Sequence, residues 1–124
     1  MNEKFNAFSD ALDRLLEALH EEPEGLALDG TIQRFEFTYD LAWKVMKIFL
    51  LRDGIECNSP RACIAGAFRV GYTDNEDLWL AMIKDRNLTS HIYSQAQALA
   101  VHRNIKDRYA AELARLRDFF RERL

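Results

Sequence analysis

Apolar residues in the first twenty positions fall at steps of three and four: Phe5, Phe8, Leu12, Leu15, Leu16 and Leu19. That spacing lines one face of a helix and predicts a first element over about residues 3–20. The segment EEPEGLALDG that follows reads as a loop. A second helix is expected from about Thr31 to Arg52, stopping at Gly54, a residue suited to the left-handed geometry beyond a helix end. Ser59 followed by Pro60 is an N-cap with proline at the first helical position, so a short helix should cover about residues 60–70 and end at Gly71. A fourth helix starts near Asn75 or Glu76, and a long fifth occupies about residues 95–122. Strand-type alternation is missing, and proline and glycine fall between the periodic segments. The pattern is all-α: an up-and-down four-helix bundle with one short extra helix.

The second helix differs from the others. Ile32, Phe35, Tyr39, Ala42, Trp43, Met46, Phe49 and Leu50 form one apolar face, while Phe37, Leu41, Val45 and Ile48 form another on the opposite side. A helix apolar on two sides is either central in its own bundle or pressed against a second subunit. Four helices leave little room for a central one, so the second face points to a homodimer interface. Between the faces runs a polar stripe of Gln33, Glu36, Asp40, Lys44 and Lys47. It reads either as a solvated strip with an Asp40–Lys44 ion pair or as the border of a cleft formed by Gln33, Glu36 and Asp40.

Composition narrows the class. At 124 residues and 48% hydrophobic, the chain is long enough for one domain with a true core and too short for two, so residues 1–124 are expected to form a single helical domain. Cys57 and Cys63 are too few for a disulfide framework and are expected to be packing thiols. No basic-then-apolar signal segment opens the sequence, and the most apolar run, LAWKVMKIFLL, is broken by two lysines. A soluble protein with no membrane partner is expected, with the cytoplasm as its default location.

The net charge of −3 argues against a generic polyanion binder. The charge is unevenly spread, however: residues 1–30 are strongly acidic and residues 101–124 are basic. Such polarity can orient a partner or a phosphate-bearing ligand, although solvated helix faces of opposite sign produce the same pattern.

The densest candidate chemistry lies in DRNLTSHIY, residues 85–93. If the fourth helix continues through this stretch, Arg86, Ser90 and Tyr93 fall in one row, with Asn87, His91 and Ser94 in the row beside it. The two rows would make one polar surface carrying a fixed positive charge, an amide, hydroxyls and an imidazole that titrates near neutrality. Arginine can grip a phosphate through two parallel hydrogen bonds, and histidine can move a proton at neutral pH. Those are the requirements of metal-independent phosphodiester cleavage. By spacing alone, an arginine and a histidine five apart fit a surface or helix-end network more readily than a catalytic site. No rival chemistry competes: His20 and His102 belong to no ligand-spaced set, and neither a phosphate-binding glycine loop nor a nucleophile elbow occurs, so no metal or cofactor is implied.

Three segments, DGTIQRFEFTYDLAWKVMKIFL, SPRACIAGAFRVG and LWLAMIKDRNLTSHIY, resemble the nucleotidyltransferase substrate-binding proteins, a branch of the HEPN superfamily. The resemblance runs from about residue 5 to 120, and the G-x-I-Q-x-F-E-F-T-Y and D-R-N-x-T-S-H blocks are specific to it. It implies a compact helical bundle that dimerises and that serves as the helical partner of a minimal nucleotidyltransferase. The superfamily motif of an arginine and a histidine four to six residues apart is matched by Arg86 and His91. Its extended form also includes Tyr93.

The resemblance implies two functions. In one, the chain is a non-enzymatic subunit whose polar groove, with Asp85, Asn87, Ser90, Glu36 and Asp40 as candidate binding residues, holds a nucleotide or acceptor substrate. In the other, it is an endoribonuclease toxin in which Arg86 and His91 cleave RNA in a composite site at the dimer interface. The partner nucleotidyltransferase would silence such a toxin by transferring AMP to Tyr93.

Overall fold

The computed structural model describes residues 2–92 and 94–124. Six α-helices follow one another: α1 (Asn2–Ala18), α2 (Gly25–Arg52), α3 (Pro60–Val70), α4 (Glu76–Leu88), α5 (Gln95–Asn104) and α6 (Ala110–Arg121). A short 3₁₀ turn, Thr89–His91, ends α4, and a π-helical segment, Ile105–Tyr109, joins α5 to α6 without leaving helical geometry. The all-α bundle with one short extra helix, α3, is the architecture expected from the sequence.

The long α2 is the axis of the bundle and packs against α1, α3, α4 and α5, while α1 also meets α6 and α3 meets α4. Its inner face carries Phe35, Ala42, Met46, Phe49 and Leu50, all essentially sealed from solvent. Phe35 stacks on Tyr109 at 5.5 Å and Phe49 on Phe120 at 4.3 Å, tying α2 to the C-terminal helices. This central position explains much of its two-sided apolar pattern. Val45, expected at an interface, lies in the chain's own core. Phe37, at 56% exposure, and the half-buried Leu41 remain on the outside.

Helix ends follow local chemistry where that chemistry is specific. Ser59 accepts from the Ala62 amide at the start of α3, and Asn75 accepts from the Leu78 amide at the start of α4. At the other ends, Gly54 (φ +85) and Gly71 (φ +90) take up the left-handed conformation. Each closes a paired C-terminal hydrogen-bond motif: Ile55 N–H reaches Leu50 O at 2.8 Å, and Tyr72 N–H reaches Ala67 O at 2.8 Å.

Four expectations need correction. First, α2 begins at Gly25, so the second half of the expected loop is helical; the extra turns bury Leu28 and Thr31. That burial outweighs the cost of about 1 kcal/mol for a glycine, here Gly30, inside a helix. Second, α4 does not run through residues 85–93. The Thr89 hydroxyl donates to the Arg86 carbonyl at 2.6 Å, competing for the acceptor that a further helical turn would use. Ile92 is extended and Ser94 caps α5 by accepting from the Gln97 amide. Third, the expected helix over 95–122 contains the π segment, whose wider turn keeps both Ile105 and Tyr109 on the core side. Fourth, Cys57 and Cys63 form a disulfide rather than free thiols. The loop after α2 brings their Cα atoms to 5.2 Å, well within bridging range.

Candidate functional site

Two helices crossing from different parts of the chain build the site. Arg86, near the end of α4, reaches across to the polar stripe of α2. Its Nε and one terminal nitrogen each approach an oxygen of Asp40 at 3.2 Å, and its other terminal nitrogen lies 3.1 Å from Glu36. The two-pronged pair with Asp40 has the geometry in which a planar guanidinium and a carboxylate match best. The hydrogen bond to Asp40 holds the arginine charged against a smaller opposing effect of burial. Of the polar stripe only Asp40 lines a groove, and it pairs with Arg86 rather than with Lys44.

An open groove of about 530 Å³ lies beside this pair. Tyr39, Asp40, Arg61, Arg86, Asn87 and Ser90 line it, and the first turn of α3 forms one wall. The side chains of Arg61, Asn87 and Ser90 make no hydrogen bond or ion pair among the described residues, so they are available to a ligand. Tyr39 is only 2% exposed, and its hydroxyl has no partner. Burial, then the neighbouring Asp40, pushes its ionisation well above the ordinary phenol range; the Arg86 and Arg61 charges partly oppose this. The hydroxyl is therefore a proton-bearing donor at neutral pH.

The candidate residues from the sequence separate into groups. Glu36, Asp40, Arg86, Asn87 and Ser90 come together. Asp85 points the other way, buried against α5 and the π segment, where it accepts from Asn104 at 2.9 Å and from the Tyr109 hydroxyl at 2.6 Å. Burial and that hydrogen bond to Asp85 raise the Tyr109 ionisation. Asp85 therefore anchors the end of α4 from behind the groove. His91 is exposed in the 3₁₀ turn and does not line the groove. The chain continues into a second cleft, lined by Gly25, Asp29, Ile92, Ser94 and Gln95. The single polar surface expected from a continuous helix is thus broken at Leu88, and the arginine and histidine flank the break. Tyr93 lies outside the described residues.

Sequence reasoning misses Tyr39 and Arg61. Tyr39 lies within the apolar stripe of α2, which hides an unsatisfied hydroxyl among core residues. Arg61 escapes notice because Ser59-Pro60 reads only as a cap. The available signal is a cation in a first helical turn that contains no acidic residue. No group of three or more potential metal-ligating side chains occurs among the described residues.

Known proteins agree with this architecture. The Haemophilus influenzae protein called probable ribonuclease HepT is 39% identical over 83 residues, an alignment covering 63% of this chain and 57% of that relative. A solved structure from Thermus thermophilus superposes with a TM-score of 0.82 at 34% identity, covering 88% of this chain and 94% of its own. A second, from Haemophilus influenzae and described as revealing the fold of a substrate binding domain of a nucleotidyltransferase, superposes with a TM-score of 0.83 at 28% identity, covering 94% and 98%. Over residues 3–122 the sequence matches the family described as nucleotidyltransferase substrate binding protein like. The chain belongs to that family and has its HEPN-like helical fold.

Proposed function

We propose that this chain is the helical substrate-binding subunit of a minimal nucleotidyltransferase, a single HEPN-like domain that holds a nucleotide or acceptor substrate in the groove beside Arg86. The observation that carries the reading is the groove itself. A guanidinium is fixed in place by Asp40 and Glu36, while the neighbouring Asn87 and Ser90 side chains are left without partners. A fixed charge surrounded by free hydrogen-bonding groups is a binding arrangement, because the order needed for recognition is established before the ligand arrives. Arg86→Ala should abolish ligand capture by the assembled pair while the variant keeps wild-type helicity and still binds its partner. Capture at wild-type strength by Arg86→Ala would remove the groove from the account.

A second reading is supported by the match of Arg86 and His91 to the motif and by the name of the Haemophilus relative. In it, the chain cleaves RNA without a metal, with His91 moving the proton and Arg86 stabilising charge on phosphorus. Because His91 is exposed and outside the groove within one chain, this chemistry needs a composite site in a homodimer. Exposed Phe37, half-buried Leu41 and a shallow cleft beside them on α1 are the surface we assign to that dimer. Transfer of AMP to Tyr93 by the partner enzyme would add charge and bulk beside the motif and switch cleavage off. RNA cleavage that persists in a chelator and disappears in His91→Ala supports this reading; cleavage unaffected by His91→Ala defeats it. A nucleotide or RNA substrate supports a cytoplasmic location for either activity, while the Cys57–Cys63 disulfide removes the free-thiol ground for it; no helix among the described residues is long and apolar enough to cross a membrane.

A further inference from the structure

We propose that Arg61, at the first turn of α3, is the phosphate contact of the groove, with the Tyr39 hydroxyl as a second donor, and that the occupant is a nucleoside monophosphate. This deepens the substrate-binding reading and rests on it. Arg86 is the obvious cation, yet its charge is already committed: Asp40 takes two of its nitrogens and Glu36 the third. A phosphate placed on Arg86 would have to displace a carboxylate or share the cation with two of them. Arg61 carries no such pair among the described residues and lies on the same groove.

Three features converge on an anion beside Arg61. The α3 helix is 11 residues long and begins at the groove, so its positive dipole end faces the space that Arg61 borders. Its first turn holds no acidic residue to neutralise that end. The Tyr39 hydroxyl, buried and without a partner on the same groove, is the kind of unsatisfied donor that a well-packed core rarely leaves. A phosphate oxygen would give it an acceptor. Arg61 and Arg86 line the same groove as this tyrosine, and both charges act on its hydroxyl. Asp40 and Glu36 repel an anion less than two free carboxylates would, because the Arg86 guanidinium they hold offsets one of their two charges and leaves Arg61 unpaired. Asn87 and Ser90, which line the same groove, are left for the sugar or base of the ligand, which is why a nucleotide rather than inorganic phosphate alone is the expected occupant.

Titration calorimetry on the full chain with AMP, adenosine and inorganic phosphate tests this directly. Wild type should bind AMP at least about tenfold more tightly than either adenosine or inorganic phosphate, the size of one charge-assisted contact. Arg61→Ala should lower AMP affinity by about tenfold and leave adenosine binding unchanged, with Arg61→Lys recovering part of the loss. Tyr39→Phe should weaken AMP by a smaller factor without lowering the melting temperature. Equal AMP affinity in wild type and Arg61→Ala, with the groove still binding AMP, overturns Arg61 as the phosphate contact while leaving the substrate-binding reading intact. No AMP binding by wild type overturns the nucleotide, and loss of ligand capture by the assembled pair in Arg86→Ala remains the separate test of that wider reading.

Discussion

Two of the arginine–carboxylate clusters on this fold are built to opposite specifications. At the far end of α4, Glu112 is buried and accepts four hydrogen bonds, three on one carboxylate oxygen and one on the other. It takes hydrogen bonds from Thr73 at 2.9 Å, from the Trp79 indole at 2.8 Å and from Arg115 at 2.7 and 2.9 Å. Burial disfavours its charge, but the bonds from Arg115 and Trp79 outweigh that and hold the carboxyl below its ordinary value. Arg115 also donates to the Tyr72 carbonyl, joining α6 to the loop before α4. The Arg86 cluster has the same chemical types, yet it stands at an open groove where the side chains of Tyr39, Arg61, Asn87 and Ser90 make no hydrogen bond or ion pair among the described residues. A closed network makes one structure unique; an open one leaves capacity for a ligand. The contrast identifies which polar residues hold the fold and which serve it.

Breaking the closed cluster should have the largest effect. Glu112→Leu leaves the Trp79 N–H, the Thr73 hydroxyl and Arg115 without their acceptor. We expect a loss of about 3 kcal/mol, the lower end for a broken buried pair because Arg115 is partly solvated. Thermal unfolding should show a fall of roughly 10 °C. The same class of change in the open cluster, Asp40→Ala, should cost less than about 1 kcal/mol, since both partners are part-exposed. Equal losses in the two variants would erase the distinction between the clusters.

Two of the buried tyrosines sharpen the same contrast on a smaller scale. Tyr109 donates to Asp85 at 2.6 Å, whereas Tyr39 has no acceptor among the described residues. Tyr109→Phe should cost about 1–2 kcal/mol, because it strips a charged acceptor of one of its two donors, and Tyr39→Phe should cost close to nothing. Denaturant midpoints at constant slope measure both.

A pH effect should be smaller still. His102 is buried with an unpartnered Nε2, and burial, then Lys106, hold its ionisation below the ordinary value of about 6.5. A group that titrates lower in the folded state lends stability above its unfolded value and loses it as pH falls towards the folded one. Melting temperature should therefore decline as pH falls below about 6.5, and His102→Gln should flatten that decline. A wild-type profile that rises as pH falls below about 6.5 would show that the imidazole gains a partner on protonation.

Much of the bundle was legible because helix periodicity and capping are local. Ser59-Pro60, Asn75, Gly54 and Gly71 each determine a helix end through bonds within a few residues. The start of α2 was not legible, since burial of Leu28, a tertiary event, overrides the turn-like EEPEG. The end of α4 turned on one hydroxyl, Thr89, competing for one carbonyl. At the groove, the sequence brought forward Arg86, Asn87 and Ser90 as neighbours in one segment, and Glu36 and Asp40 as a stripe. Their meeting across 46 residues of chain is a property of packing alone. Asp85 could not be told from its neighbours by sequence, because adjacent residues on a helix face directions about 100° apart and only the fold decides which faces inward.

Multi-angle light scattering of this chain mixed with a minimal nucleotidyltransferase at micromolar concentration tests the central proposal most directly. A stable complex should elute with a mass exceeding that of either component and containing both, and it should form equally with Tyr39→Phe, which leaves the fold unchanged. Separate elution of the two proteins at their individual masses, this chain at 14.5 kDa or twice that, while the nucleotidyltransferase is demonstrably folded, would contradict the account.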